Sequence, residues 1–203
     1  MPDELKIARV VPIFKNGDPH NIINYRPISI LPCFSKILER LVADRLNSFL
    51  KAFNVLTEAR YGFRANYSTQ LAVFDLIHKI TQSLDKSHTT IGVFLDLSKA
   101  FDTIDHDILL KKLFKYGIRG IAWNGFNSYL SNRKQFVEWE HCKSSFQTIK
   151  CGVPQGSILG PILFLIYIND LCNSSCILSY ILFADATNIF YSCDNLQGSS
   201  VVN

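Results

Sequence analysis

Apolar residues change their spacing several times along the chain, and each change marks an element. Val10 to Phe14 is a β-branched, apolar run that reads as a strand, Lys15-Asn-Gly-Asp-Pro reads as a turn, and Tyr25 to Ile30 as a second extended piece. From Phe34 the spacing turns helical: Ile37, Leu38, Leu41, Val42, Leu46 and Phe49 form a stripe, with Ser35 as the expected cap. A second helix is expected from about Thr69 to Leu84, with Val73, Phe74, Ile77, Ile80 and Leu84 on one face. Thr89 to Leu95 then reads as a buried strand ending at Asp96. Asp105 is placed to cap a helix that turns Leu109, Leu110, Leu113 and Phe114 inward and stops at Gly117. Trp123, Phe126, Tyr129 and Leu130 suggest a further short helix. Gln135 to Trp139 and Phe146 to Ile149 read as a strand pair around a polar turn, His141 to Ser145. An apolar helix follows Gly152-Val-Pro-Gln-Gly. Ile177 to Tyr191 reads as a hairpin around Asp185-Ala-Thr-Asn. Strands close to one another, mixed with helices, point to an α+β layer with helices on one face of a sheet.

The 203 residues suit one domain or two small lobes, and 48% hydrophobic content is enough for a core and argues against disorder. A net charge of +4 permits a nucleic-acid partner without requiring one. The six cysteines include no Cys-x-x-Cys pair and no zinc-ligand spacing, so they read as reduced thiols of an intracellular protein, cytoplasmic or nuclear. The opening residues lack a signal peptide's apolar stretch. The longest apolar run, Ile158 to Ile168, is shorter than the about 20 residues that span a bilayer, so no membrane partner is expected.

Three segments could carry chemistry. Asp96 ends an apolar strand, where a carboxylate is either a structural cap or a metal ligand. Asp185 sits between two apolar runs. If that hairpin pairs beside the Asp96 strand, the two carboxylates converge into a hard-oxygen site suited to Mg²⁺; otherwise Asp185 is a turn residue. Gly152-Val-Pro-Gln-Gly offers the Gln155 amide to a base or sugar edge, or is simply a loop that opens a helix.

Together these segments are far more specific. Asp96-x-x-x-x-Phe101-Asp102, then Pro154-Gln-Gly before a helix, then Phe183-Ala-Asp in a hairpin resemble reverse transcriptases. Val11-Pro-Ile-Phe-Lys-Asn-Gly-Asp, Asn24-Tyr-Arg-Pro-Ile-Ser, Tyr61-Gly-Phe-Arg and Tyr67-Ser-Thr resemble the fingers of the non-LTR, jockey-type members. The resemblance implies a right-hand polymerase of fingers and palm, with fingers at 1–88, palm at 89–116, a return to the fingers at 117–151 and palm again at 152–203. It implies RNA-directed DNA synthesis with two Mg²⁺ ions, an RNA template, a DNA primer and dNTPs. Asp96, the Leu97 carbonyl and Asp185 would hold metal. Phe101 would be the steric gate against a ribose 2′-hydroxyl, Gln155 and Gly156 would touch nucleotide and template, and Lys15 and Arg26 would hold the triphosphate. The alternatives are Phe101 as core, which its place beside Asp96 and Ala100 disfavours, Lys15 as a solvated turn residue and Arg26 as a cap on neighbouring carbonyls. Asp102 matches the family's second acid of that motif, with a local structural role as the alternative.

The chain departs from the family at one informative place. Where the family has Ala-Asp-Asp, this sequence has Ala184-Asp185-Ala186. Both ends also read as cut, the second before the thumb. Two functions are therefore expected: a polymerase weakened in this copy, or a non-catalytic nucleic-acid-binding remnant or inactive gene fragment. A viral RNA-dependent RNA polymerase is disfavoured, because Pro-Gln-Gly stands where those enzymes have a Ser-Gly motif.

Overall fold

The computed structural model describes residues 1–64, 66–140 and 142–194. In chain order the elements are β1 (Ile7–Phe14), β2 (Tyr25–Ile30), α1 (Cys33–Ala52), α2 (Thr69–Asp85), β3 (Thr89–Asp96), α3 (His106–Lys115), α4 (Gly120–Leu130), β4 (Lys134–Trp139), β5 (Cys142–Lys143), β6 (Gln147–Thr148), α5 (Leu159–Tyr167), β7 (Ser179–Phe183) and β8 (Ala186–Cys193). They form a mixed helix–sheet fold in two compact units: Met1–Val55 with Lys99–Tyr167, and Leu56–Ser98 with Ile168–Asn203. Instead of the single sheet expected from sequence, each unit has its own. Among the described residues no helix is long and apolar enough to cross a membrane.

In the first unit β1 pairs antiparallel with β2 and parallel with β4, and β4 carries β5 and β6. His141, part of the expected polar turn, lies outside the described residues. Asp105 caps α3 as expected, its Oδ1 accepting the Ile108 N–H at 2.9 Å. Leu109, Leu110 and Leu113 face inward, but Phe114 is exposed and stacks under the Arg119 guanidinium. Helix α1 corrects two expectations. Pro32 occupies the cap position, while Ser35 lies inside the helix and is fully buried. The buried face is Ser35, Glu39, Ala43, Leu46 and Leu50, at helical spacing, and it packs on α5. The expected stripe mostly faces outward, and Leu38, Leu41 and Val42 line an apolar cavity of about 710 Å³. Small and hydrogen-bonded side chains let two helices approach closely, so a stripe that includes Ser35 and Glu39 won over a more hydrophobic one.

In the second unit β8 lies between β3 and β7, all antiparallel, and α2 packs against β3 and β7. Ala72, Ile181 and Phe190 make its core, with Tyr61, Leu76 and Phe183 packed around them. One further expectation fails here. Strand β3 was expected to be buried, but it is a sheet edge with Ile91, Val93, Phe94 and Leu95 exposed. The α2 residues Val73, Phe74, Ile77 and Leu84 are exposed too, and only Ala72 of that helix is buried. An apolar run shows that a strand or helix can be buried, not that a neighbour covers it.

The hairpin turn is also shorter and earlier than expected. Phe183 pairs with Ala186, so Ala184 and Asp185 alone form the loop, and Thr187 and Asn188 belong to β8. Ala184 takes a left-handed φ of +54°, as the first residue of a tight hairpin turn requires. The segment around Arg60 holds this turn down through an isolated bridge to Leu182. Tyr61 N–H donates to the Leu182 carbonyl and Leu182 N–H to the Ala59 carbonyl, each at 2.8 Å. The next residue, Gly62, backs directly onto the loop: a Cβ there would lie 2.1 Å from the Ala184 nitrogen. Only glycine permits that approach. Gly62→Ala is expected to cost about 2 kcal/mol of stability, through displacement of the Asp185 loop. Urea unfolding would test it, and an unchanged midpoint would show that the loop yields freely.

Candidate active site

The second unit brings the two expected metal carboxylates to the same end of its sheet. Asp96 ends β3 directly across from Ala186, and the Leu97 N–H donates to the Asp185 carbonyl at 3.4 Å. Directly paired residues of antiparallel strands turn their side chains to the same face, about 5 Å apart. Ala186 thus sets a methyl group beside Asp96, and Asp185 immediately precedes it in the turn. Asp96 is exposed and Asp185 half-buried. Among the described residues no group of three or more acidic, histidine or cysteine side chains gathers to hold a metal ion. Carboxylates at one end of a sheet are the donor type that suits a hard divalent cation keeping part of its water shell.

The remaining candidates lie in the first unit. Lys15, one residue past β1, continues the pairing through its N–H to the Asn24 carbonyl, at 2.8 Å. Arg26 pairs with Ile13, so Lys15 and Arg26 project from the same face of the β1–β2 hairpin, both exposed. The Gly152–Gly156 loop is held on two sides. Toward the segment after Lys99, Gly152 N–H donates to the Ile104 carbonyl at 2.7 Å and Val153 N–H to the Phe101 carbonyl at 2.8 Å. The His106 ring lies 2.7 Å from the Gly152 carbonyl, so its Nε2 carries the proton in that bond. Gly152 has φ +82°, and a Cβ there would lie 2.7 Å from the Asp102 backbone. Toward β2, the Gln155 carbonyl accepts the Ser29 N–H at 2.7 Å, and Gly156 backs onto the Ser29 carbonyl. The Gln155 side chain bonds to Asp102. Phe101 is half-buried, its ring tilted against Phe164 of α5 with centroids 5.0 Å apart. The fold thus brings Phe101, Asp102, Gln155 and Gly156 together, and sets Lys15 and Arg26 on the hairpin whose second strand meets them at Ser29.

The sequence reading missed Glu39. Its carboxylate is 1% exposed and caps α5 from the side. One oxygen accepts the Ile158 and Leu159 N–H groups at 2.6 and 3.3 Å, and the other accepts the Tyr129 hydroxyl at 3.2 Å. A negative charge at a helix N-terminus meets unpaired amides and the positive end of the dipole. Burial, reinforced by the Glu39 charge, pushes the Tyr129 hydroxyl well above the ordinary phenol range. Glu39 therefore anchors the helix that follows Pro-Gln-Gly. The only sequence signal was its place on the Ser35–Ala43–Leu46–Leu50 stripe. Glu39→Ala would strand two amides and a hydroxyl, and is expected to cost about 3 kcal/mol. Glu39→Gln keeps an acceptor and should lose less; urea midpoints of the two variants check the order.

A family profile described as reverse transcriptase (RNA-dependent DNA polymerase) matches residues 13–197. The chain belongs to the reverse transcriptase family. Several of its relatives are proteins of non-LTR mobile elements. It is 37% identical over 84% of its length to the "Probable RNA-directed DNA polymerase from transposon BS" of Drosophila melanogaster, and 32% identical over 84% to the RNA-directed DNA polymerase from mobile element jockey of the same species. It spans about a fifth, 19%, of the length of each. Among solved structures, apo telomerase from Candida tropicalis matches 97% of this chain and 45% of its own, with TM-score 0.67 and 13% identity, a likeness of fold alone.

Proposed function

We propose that the chain is a fingers-and-palm portion of an RNA-directed DNA polymerase, impaired in this copy at its metal site. In this reading residues 1–88 and 117–151 are fingers, and 89–116 and 152–203 are palm. The observation that carries it is the pairing that sets Asp96 beside the Asp185 turn, in a chain whose family performs template-directed nucleotidyl transfer. Asp96, Asp185 and the Leu97 carbonyl would hold Mg²⁺. When bound, Mg²⁺ supplies Lewis-acid activation of a primer 3′-hydroxyl and neutralises charge on the departing pyrophosphate. The protein's own part is positioning. Lys15 and Arg26 attract and orient the triphosphate from the hairpin face, Gln155 and Gly156 meet the nucleotide, and Phe101 sets the room left beside its sugar. RNA template, DNA primer and dNTPs are the partners.

Ala186 favours a second reading, a nucleic-acid-binding remnant without catalysis. Primer extension on poly(rA)/oligo(dT) with Mg²⁺ or Mn²⁺, run on the chain and on Ala186→Asp, separates the two. Extension by the variant alone supports an intact palm with one lesion. Extension by neither supports the remnant. Vigorous extension by the unmodified chain overturns the account of the metal site.

A further inference from the structure

Gln155 is half-buried, and its amide nitrogen stands 2.9 Å from each of the two Asp102 carboxylate oxygens. A carboxylate only accepts hydrogen bonds, so the amide is turned with Nε2 toward Asp102 and Oε1 away from it. Nothing in the surroundings invites the opposite turn. Asp102 is itself fixed: its N–H donates to the Lys99 carbonyl at 2.8 Å, and its backbone lies against Gly152 too closely for any side chain there. The Gln155 carbonyl is held by Ser29. No donor among the described residues reaches Gln155 Oε1.

We propose that Asp102 is a positioning residue that locks the Gln155 amide, so that the Pro-Gln-Gly loop turns the Oε1 acceptor, on the side away from Asp102, toward an incoming nucleotide. The loop then selects a ligand that can donate at that point, through a sugar hydroxyl or a base amino group. This rests on the nucleotide-binding reading given above. A free glutamine amide flips to suit either kind of partner, so it discriminates poorly. An amide clamped by a carboxylate cannot flip without setting its Oε1 against negative charge. Missing one neutral hydrogen bond of this kind weakens binding by up to about tenfold.

The test has two arms. In the first, ¹⁵N NMR follows the Gln155 side-chain amide, assigned by its loss in Gln155→Met. The proton shared between the two carboxylate oxygens should give a shifted, slowly exchanging signal that collapses toward the free-amide position in Asp102→Asn. Signals that do not move overturn the clamp. In the second, binding of dATP, its 3′-deoxy analogue and its analogue lacking the 6-amino group is measured with Mg²⁺ on a dideoxy-terminated primer–template. The unmodified chain should bind one analogue about tenfold more weakly than dATP. Which analogue suffers tells whether sugar or base is the donor. Asp102→Asn should shrink that ratio to near one, and Gln155→Met should do so with Asp102 untouched, should the first variant fold poorly. Equal binding of all three by the unmodified chain overturns the acceptor role. No binding of any of them refutes the nucleotide-binding reading and the acceptor role with it, while the NMR arm still decides the clamp.

Discussion

Ala186→Asp is expected to raise Mg²⁺-dependent nucleotide incorporation by about 10³-fold. The expectation comes from strand register. Position 186 pairs directly with Asp96, so a carboxylate there joins the face that already bears one, beside Asp185 in the turn. Three carboxylates would then neutralise metal charge and fix ion positions, where now a methyl group leaves a gap. A ligand contributing about 4 kcal/mol to the transition state accounts for that factor. The fold should tolerate the change, because Ala186 is only half-buried at the open end of the sheet. Initial rates on poly(rA)/oligo(dT) measure the effect. A gain under tenfold would mean that ions cannot be seated by these three groups, and the polymerase reading would lose its chief support.

Arg60→Met is expected to stabilise the protein by about 3 kcal/mol at neutral pH. Arg60 is completely buried, and its Nε, Nη1 and Nη2 reach no hydrogen-bond partner among the described residues. Its backbone lies beside β7, where Tyr61 and Ala59 pair with Leu182, so the side chain cannot easily swing out. Burial, with Arg64 adding repulsion and Cys172 a partial counterweight, lowers its pKa from the ordinary guanidinium range to about 10. The sign follows from proton counts. Between pH 10 and the ordinary guanidinium pKa the unfolded chain holds a proton on this group that the folded chain has lost, so stability rises with pH in that window. Below pH 10 both states are charged, and the folded state bears the full penalty. Methionine fills similar space without charge. A chain of this size should then melt roughly 6–12 °C higher. A lower melting temperature would mean that the guanidinium serves a purpose which its lack of partners conceals.

The sequence by itself determined the local elements and their order. The β-branched run of β1, the Asp105 cap of α3, the stop at Gly117 and the apolar α5 are written in residue types a few positions apart, because capping, turn chemistry and periodicity act over one or two turns of chain. Ordered motifs likewise made the family legible, together with the departure at Ala186. Tertiary structure alone decided which apolar surface was covered. The α1 stripe faces out because Glu39 is needed against α5, and β3 is exposed because it ends a sheet. It also decided the pairing of Asp96 with Ala186, the closeness of Gly62 to the Asp185 turn, and the bond between Asp102 and Gln155. Those partners stand from 53 to 122 residues apart, and local preference carries no information about contacts over such separations; only packing and strand register choose among them.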